Sequence, residues 1–223
     1  MNIFKRQEQV IGKEAQKKIK ASKITIIGAG GLGSVVAHIL VRMGIGNLII
    51  QDFDIVSDHN LSRQHLYGIE DIGKSKVLSL KKYLEEIHSE SKIKIVEKII
   101  SSEEDIEKSD LIIDCTDNHK TRQIIDSFCK KNKISWVHGA AIKEHGTIYF
   151  FDSKNENFSY ENIYGKNPIE SGCGEEGVIV TITTIVGTLQ AQIVMDYIIG
   201  RKIPKELIRI NSETYSIEKI KIK

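Results

Sequence analysis

Apolar and polar positions along the chain fall into alternating blocks of two periods. "KITIIG", Lys23 to Gly28, is a continuous apolar run of strand length that ends in glycine. "SVVAHILVRMG" follows with apolar residues at helical spacing and closes at Gly44, as a helix C-cap would. "NLIIQDFD" reads as a second buried strand ending in acid. Between Lys74 and Ile87 the residues Val77, Leu80, Leu84 and Ile87 share one helical face, with lysines and glutamates opposite. "KIKIVEKI" alternates like a strand, "DLIIDCTDN" is a buried strand ending in a polar cluster, and "TRQIIDSFCKKN" is its following helix. "ISWVHGAA" and "HGTIYFFD" predict two more strands. A polar stretch from Ser153 to Glu176 precedes an apolar helix over roughly Val180 to Ile199, capped by Gly200. The end, "LIRINSETYSIEKIKIK", predicts a hairpin whose "KIKIK" is a solvated edge strand. "RQEQVIGKEAQKKIKAS" is a charged helical lead-in within residues 1–22.

Strands alternating with helices predict an α/β fold: a Rossmann-like, doubly wound and mainly parallel sheet with antiparallel strands at the C-terminal end. With 223 residues, two prolines and no Gly/Ser-rich linker, one domain over 1–223 is expected. In such sheets ligands sit beyond the carboxyl ends of the strands. Those ends are "GAGGLG", "DFD" and "DCTDN", so three clusters far apart in sequence should meet at one crevice.

Bulk composition narrows the classes. Hydrophobic residues make up 40% and charged residues 28%, ordinary for a globular protein. A formal net charge of +2 exerts little pull on nucleic acid or on a membrane, so neither is an expected partner. The N-terminus has no apolar core of signal-peptide length, and "VIVTITTIVG" is too short and threonine-rich to span a bilayer. Cys115, Cys129 and Cys173 form no C-x-x-C pair and no even framework, which predicts a reducing, cytoplasmic setting.

The G-x-G-x-x-G of Gly28, Gly30 and Gly33, with Gly31 between, lets backbone N–H groups approach a phosphate at a helix N-terminus. Asp52, with Asp54 two residues on, stands where a carboxylate would hold a ribose hydroxyl. This much would serve NAD, a flavin or ATP. Asn60, Arg63 and Gln64 in "DHNLSRQ", followed by Lys76 in "GKSK", change the picture. An anionic nucleophile attacking a triphosphate needs such cations, whereas hydride transfer does not. In "DCTDN", Asp114, Asp117 and Asn118 end a strand; an aspartate there can hold Mg²⁺, Asn118 is a candidate nucleotide contact, and Asp117 or Asn118 can cap the next helix. Cys115 and Cys129 read as packing residues. His138 reads as a hydrogen-bonded structural histidine near the crevice, and His59, His65 and His145 show no metal-ligand spacing.

"GAGGLGS", "DFD…NLSRQ", "GKSK", "DCTDN", "HGAAI", "GCGEEGV" and "GTLQA", in that order over about Arg6 to Gly200, resemble the MoeB/ThiF/HesA family, relatives of the catalytic fold of ubiquitin-activating enzymes. The resemblance implies ATP rather than NAD, and adenylylation of the C-terminal glycine of a small ubiquitin-like sulfur carrier ending in Gly-Gly. The setting would be thiamine, molybdopterin or tRNA-thiolation chemistry. It assigns Gly31 and its neighbours to the nucleotide, Asp52 to the ribose, Asn60, Arg63, Gln64 and Lys76 to the phosphates, and Asp117 to Mg²⁺. Arg6 would reach the partner protomer's site, which implies a homodimer. Cys173 matches a loop cysteine that in some relatives forms a covalent sulfur link; nearby Glu175 and Glu176 would blunt its thiol. The two C-x-x-C pairs that hold a structural zinc in some members are missing, with "FSYE" (Phe158 to Glu161) at the first, so no zinc is expected. A modified tRNA or peptide carboxylate as acceptor, a nicotinamide-dependent oxidoreductase, and a silent binding module are the alternatives.

Overall fold

A computed structural model describes residues 2–88, 90–153, 158–166 and 176–222. The helical lead-in consists of two helices, α1 (Lys5–Ile11) and α2 (Lys13–Ala21), separated at Gly12. Then come β1 (Lys23–Ile27), α3 (Gly31–Met43), β2 (Asn47–Gln51), α4 (Lys76–Ile87) and β3 (Lys92–Val96). β4 (Leu111–Asp114), α5 (His119–Asn132), β5 (Trp136–Ile142), β6 (His145–Phe151) and α6 (Tyr160–Tyr164) follow. The chain ends with α7 (Val180–Ile199), β7 (Leu207–Asn211) and β8 (Ser216–Ile220).

Eight strands make one sheet in the order β3-β2-β1-β4-β5-β6-β7-β8. The first five strands in that order are parallel, and β5 to β8 pair antiparallel. The mixed sheet matches the expected fold class. Central strands read as unbroken apolar runs because helices cover both faces. Alternation within them still sorts the side chains: Ile24, Ile26, Leu111 and Ile113 join α2, α3, α4 and α7 in one core. Ile27 and Ile112 join α5 and α6 in the other.

Helix ends follow their local chemistry. Gly44 and Gly200 close α3 and α7 in the left-handed region, as the sequence pattern required. Ser75 Oγ accepts the Leu78 N–H at the start of α4. Gln7 and Gln16 donate from Nε2 to the Met43 carbonyl at 2.8 and 2.9 Å, which docks the lead-in on the last turn of α3. α7 has the length and composition of a membrane span, yet half of it is buried and it packs on α3, β5 and β6 as a core helix.

On the α5 side, Trp136 stacks on Phe151 with centroids 4.3 Å apart. Phe158 extends that aromatic cluster, 5.4 Å from Tyr149, while Glu161 is exposed. Among the described residues no cluster of metal-ligand side chains forms. Cys173 and Glu175 lie outside the described residues.

The segment joining β3 to β4 is tied down by Asp105. Its carboxylate pairs with Lys98 and accepts the Ser101 and Ser102 N–H groups at 2.9 Å. The Lys98 bond first, and then these amides, hold the carboxyl well below the usual range. A carboxyl with a depressed folded pKa stabilises the fold above its unfolded value, about 3.9, and ceases to do so as pH falls through its folded value. Asp105→Asn is therefore expected to lower the Tm near neutral pH, with the deficit against wild type shrinking as pH falls from about 5 to about 2. Thermal melts across that range check it; a deficit independent of pH would contradict the assignment.

Candidate functional site

β1 is flanked by β2 on one side and β4 on the other, and the chain leaves them in opposite directions. A crevice of about 440 Å³ opens beyond their carboxyl ends, where the three polar clusters meet. Gly28 sits at φ 97° and donates its N–H to the Gln51 carbonyl at 2.8 Å. A β-carbon there would stand 2.5 Å from the Cys115 carbonyl, and one on Gly33 would stand 1.8 Å from the Gly28 carbonyl. These two glycines close the loop against the sheet. Gly30 differs, since a β-carbon there would meet only the Gln64 side chain, its Nε2 nearest at 3.5 Å. Among the described residues no side chain caps α3, and Gly31 and Leu32 of its first turn line the crevice, an arrangement able to bind an anion.

Asp52 braces this loop. Its Oδ2 accepts the Ala29 N–H at 2.6 Å and its Oδ1 accepts the Asp54 N–H at 2.8 Å. Each carboxylate oxygen keeps a lone pair for a ribose hydroxyl. Tyr67, which the sequence reading missed, donates its hydroxyl to the Ala29 carbonyl at 2.6 Å. Burial pushes its phenol pKa well up, so it stays a donor.

The cationic wall comes from the loop after β2 and the start of α4. Lys76 is 6% exposed, and its Nζ lies 2.9 Å from Asp54 Oδ2. Asp54 therefore serves the lysine first. Arg63 donates to the His59 carbonyl at 2.9 Å and has no carboxylate partner among the described residues. Asn60 is buried with Oδ1 on the Ser57 N–H, and Gln64 keeps a buried Oε1 without a partner. All four line the crevice, as does Asp54. Arg6 does not: it is exposed on α1, docked at the far end of α3. Thirteen residues make α3 about 20 Å long, which puts this chain's own crevice out of its reach.

The polar end of β4 separates into three tasks. Asn118 Oδ1 accepts the Thr121 N–H at 2.8 Å and caps α5. Asp117 is exposed at the crevice wall and has no hydrogen-bond partner among the described residues. Asp114 points inward and is fully buried. Its Oδ1 accepts the Thr116 N–H and hydroxyl at 2.9 and 2.6 Å, and its Oδ2 lies 2.7 Å from His138 Nδ1. Burial alone would discourage the charge on Asp114, but the His138 N–H and the Arg122 guanidinium outweigh it and hold the carboxyl below its ordinary range. Burial pushes His138 down, so the ring is neutral, with its Nε2 3.0 Å from the Tyr164 hydroxyl. His138 is the structural histidine expected.

Arg122 and Gln190 were also missed. Arg122 is 4% exposed, lines the crevice and donates from Nη2 to the Thr116 carbonyl at 2.5 Å. Gln190 donates to the Asp114 carbonyl at 2.8 Å from a helix that begins far downstream. The helical phase that follows Asn118 places Arg122 one turn on, facing back along α5, and that was the available signal. Cys115 and Cys129 are buried, and burial pushes both thiols well up, as packing residues require.

A lone free carboxylate beside amide donors and cations fits a hard divalent cation shared with phosphate oxygens, since Mg²⁺ takes one or two carboxylates and leaves the rest to substrate and water. Asp117 is the described residue that meets that requirement.

A sequence profile of the ThiF family matches residues 4–223. The chain is 37% identical to a probable molybdopterin-synthase adenylyltransferase of Porphyra purpurea, over 94% of this chain and 57% of that protein, so it spans a little over half the length of that relative. The molybdopterin-synthase adenylyltransferase of Haemophilus influenzae is 34% identical, over 94% of this chain and 88% of its own. Among solved structures, Escherichia coli MccB with ATP superposes with a TM-score of 0.85 at 22% identity, over all of this chain and 72% of that one, a likeness of fold. The strand order, the glycine loop and these matches agree: the chain belongs to the ThiF family.

Proposed function

We propose that the crevice adenylylates a carboxylate: the protein uses ATP to activate the C-terminal glycine of a ubiquitin-like sulfur carrier, and pyrophosphate leaves. The names of its relatives favour the carrier of molybdopterin synthesis over thiamine or tRNA-thiolation carriers, and the cytoplasm is the proposed setting. One observation carries the reading. An uncapped helix N-terminus, the Arg63 and Lys76 cations and the free Asp117 carboxylate face one crevice, as a polyphosphate with its metal requires.

In this reading Gly31 and the first turn of α3 bind the phosphates, and Asp52 holds the ribose. Lys76 keeps one N–H on Asp54 and offers the other two to phosphate oxygens. Arg63 meets the same charge, with Asn60 and Gln64 beside it. Asp117 would hold Mg²⁺, which neutralises charge on the leaving pyrophosphate when bound. The attacking carboxylate has an ordinary pKa of roughly 3.5, is already ionised, and needs no general base. Its oxygen bonds to the α-phosphorus while the bond from that phosphorus to the bridging oxygen breaks, and pyrophosphate carries off the electron pair. The chain's contribution is alignment and relief of repulsion. Arg6, too far from its own crevice, is proposed to complete the site of a second copy in a homodimer. Cys173 is open to a later sulfur-transfer step, which adenylylation does not need.

Pyrophosphate should exchange into ATP in the presence of Mg²⁺ and one Gly-Gly carrier, and Asp117→Ala should cut that exchange by at least about a hundredfold. Exchange driven by a peptide or by tRNA instead would replace the carrier assignment, and NADH bound in preference to ATP would overturn the reading. Arg6→Ala and Asp117→Ala, each inactive alone, should on mixing recover about a quarter of wild-type activity, because half of randomly assorted dimers hold one intact composite site. No recovery on mixing, in dimers shown to exchange subunits, would remove Arg6 from the partner's site.

A further inference from the structure

The turn from Cys115 to Asn118 carries the free carboxylate of Asp117, and it is held from every side except that one. Cys115 donates its N–H to the Ile27 carbonyl at 2.8 Å, and Gln190 holds the Asp114 carbonyl just before the turn. Asn118 is fixed as the cap of α5. Thr116 is gripped at three points. Its N–H and hydroxyl go to Asp114 Oδ1, and its carbonyl accepts from Arg122 Nη2. Arg122 Nε lies 3.4 Å from Asp114 Oδ2, so the two residues that grip Thr116 also pair with each other.

The bracket is itself braced. His138 and its partner Tyr164 hold Asp114 Oδ2 from β5 and α6. Tyr160 stacks on Tyr164 at 4.6 Å and meets His119 Nδ1 at 2.5 Å at the start of α5. A buried ion pair of this kind costs desolvation and earns little net stability against apolar packing. Its worth lies in fixing geometry. Arg122 lines the crevice, with its charge beside Asp114 and its Nη2 held by the Thr116 carbonyl.

We infer that Arg122 is a positioning residue: with Asp114 it clamps Thr116 and thereby sets where the Asp117 carboxylate stands at the crevice wall. This rests on the adenylylation reading, in which Asp117 meets the metal of the bound nucleotide. Groups that orient a metal ligand without touching the metal govern affinity through geometry.

The test is Mn²⁺ affinity, read by electron paramagnetic resonance, for the full chain saturated with an ATP analogue that has a methylene bridge between the α and β phosphates. Arg122→Gln should weaken Mn²⁺ binding by at least about tenfold, while analogue binding in excess chelator changes by less than about twofold. Unchanged Mn²⁺ affinity would overturn the inference. Equal loss of analogue binding without metal would also overturn it, since Arg122 would then be a direct nucleotide contact. Should Arg122→Gln fail to fold by circular dichroism, Thr116→Val removes one arm of the clamp and leaves the ion pair intact; it should weaken Mn²⁺ in the same direction, and no weakening would overturn the inference. Wild-type protein that binds neither analogue nor Mn²⁺ would fail the adenylylation reading itself, a result separable from a wild type that binds both and a variant that matches it.

Discussion

Between β1 and β4 the strand order reverses, and the site hangs on that reversal. From β1 the chain winds outward through β2 to β3, then crosses back to β4 and continues to β5 and beyond. Connections therefore diverge above these strands, and their carboxyl ends stay uncovered. The register is closed at the floor: Ile27 pairs with Gln51 on one side and Asp114 on the other. Gly28 then passes so close to Cys115 that only hydrogen fits between them. The glycine loop, the acidic pair after β2 and the turn after β4 are thus fixed relative to one another by backbone, before any side chain acts.

Charge in the crevice is arranged in two grades. Lys76 with Asp54, and Arg122 with Asp114, are paired inside the protein. Arg63 and Asp117 have no partner of opposite sign among the described residues, and Gln64 keeps an unused buried oxygen. On the proposed reading the paired groups set the shape of the site, and the unpaired ones are completed by a polyphosphate and its metal.

The fold was legible because burial on both faces leaves a plain mark. "KITII" and "LIID" could be central strands on their apolar content alone, and Gly44 and Gly200 ended their helices as read. The clusters at strand ends were legible for the same topological reason. What the string "DCTDN" could not convey is direction. It offers two aspartates and an asparagine within five residues, and only the turn of the chain sends Asp114 into the core, Asn118 onto α5 and Asp117 to the crevice. Gln190 and Tyr67 were illegible because their hydrogen bonds link segments 76 and 38 residues apart. Such contacts have no local period.

Among the described residues the open sheet of eight strands has two unpaired margins, β3 and β8, each of a kind that can template another chain. Both are studded with cations. Lys92 and Lys94 alternate along β3, and Lys219 stands exposed on β8 with Lys221 just beyond. Adding a strand at either margin would strip water from Lys92 or Lys219, while Lys94 is already paired with Glu107. The alternating pattern that marks these strands in the sequence thus also disfavours the addition of a further strand at either margin.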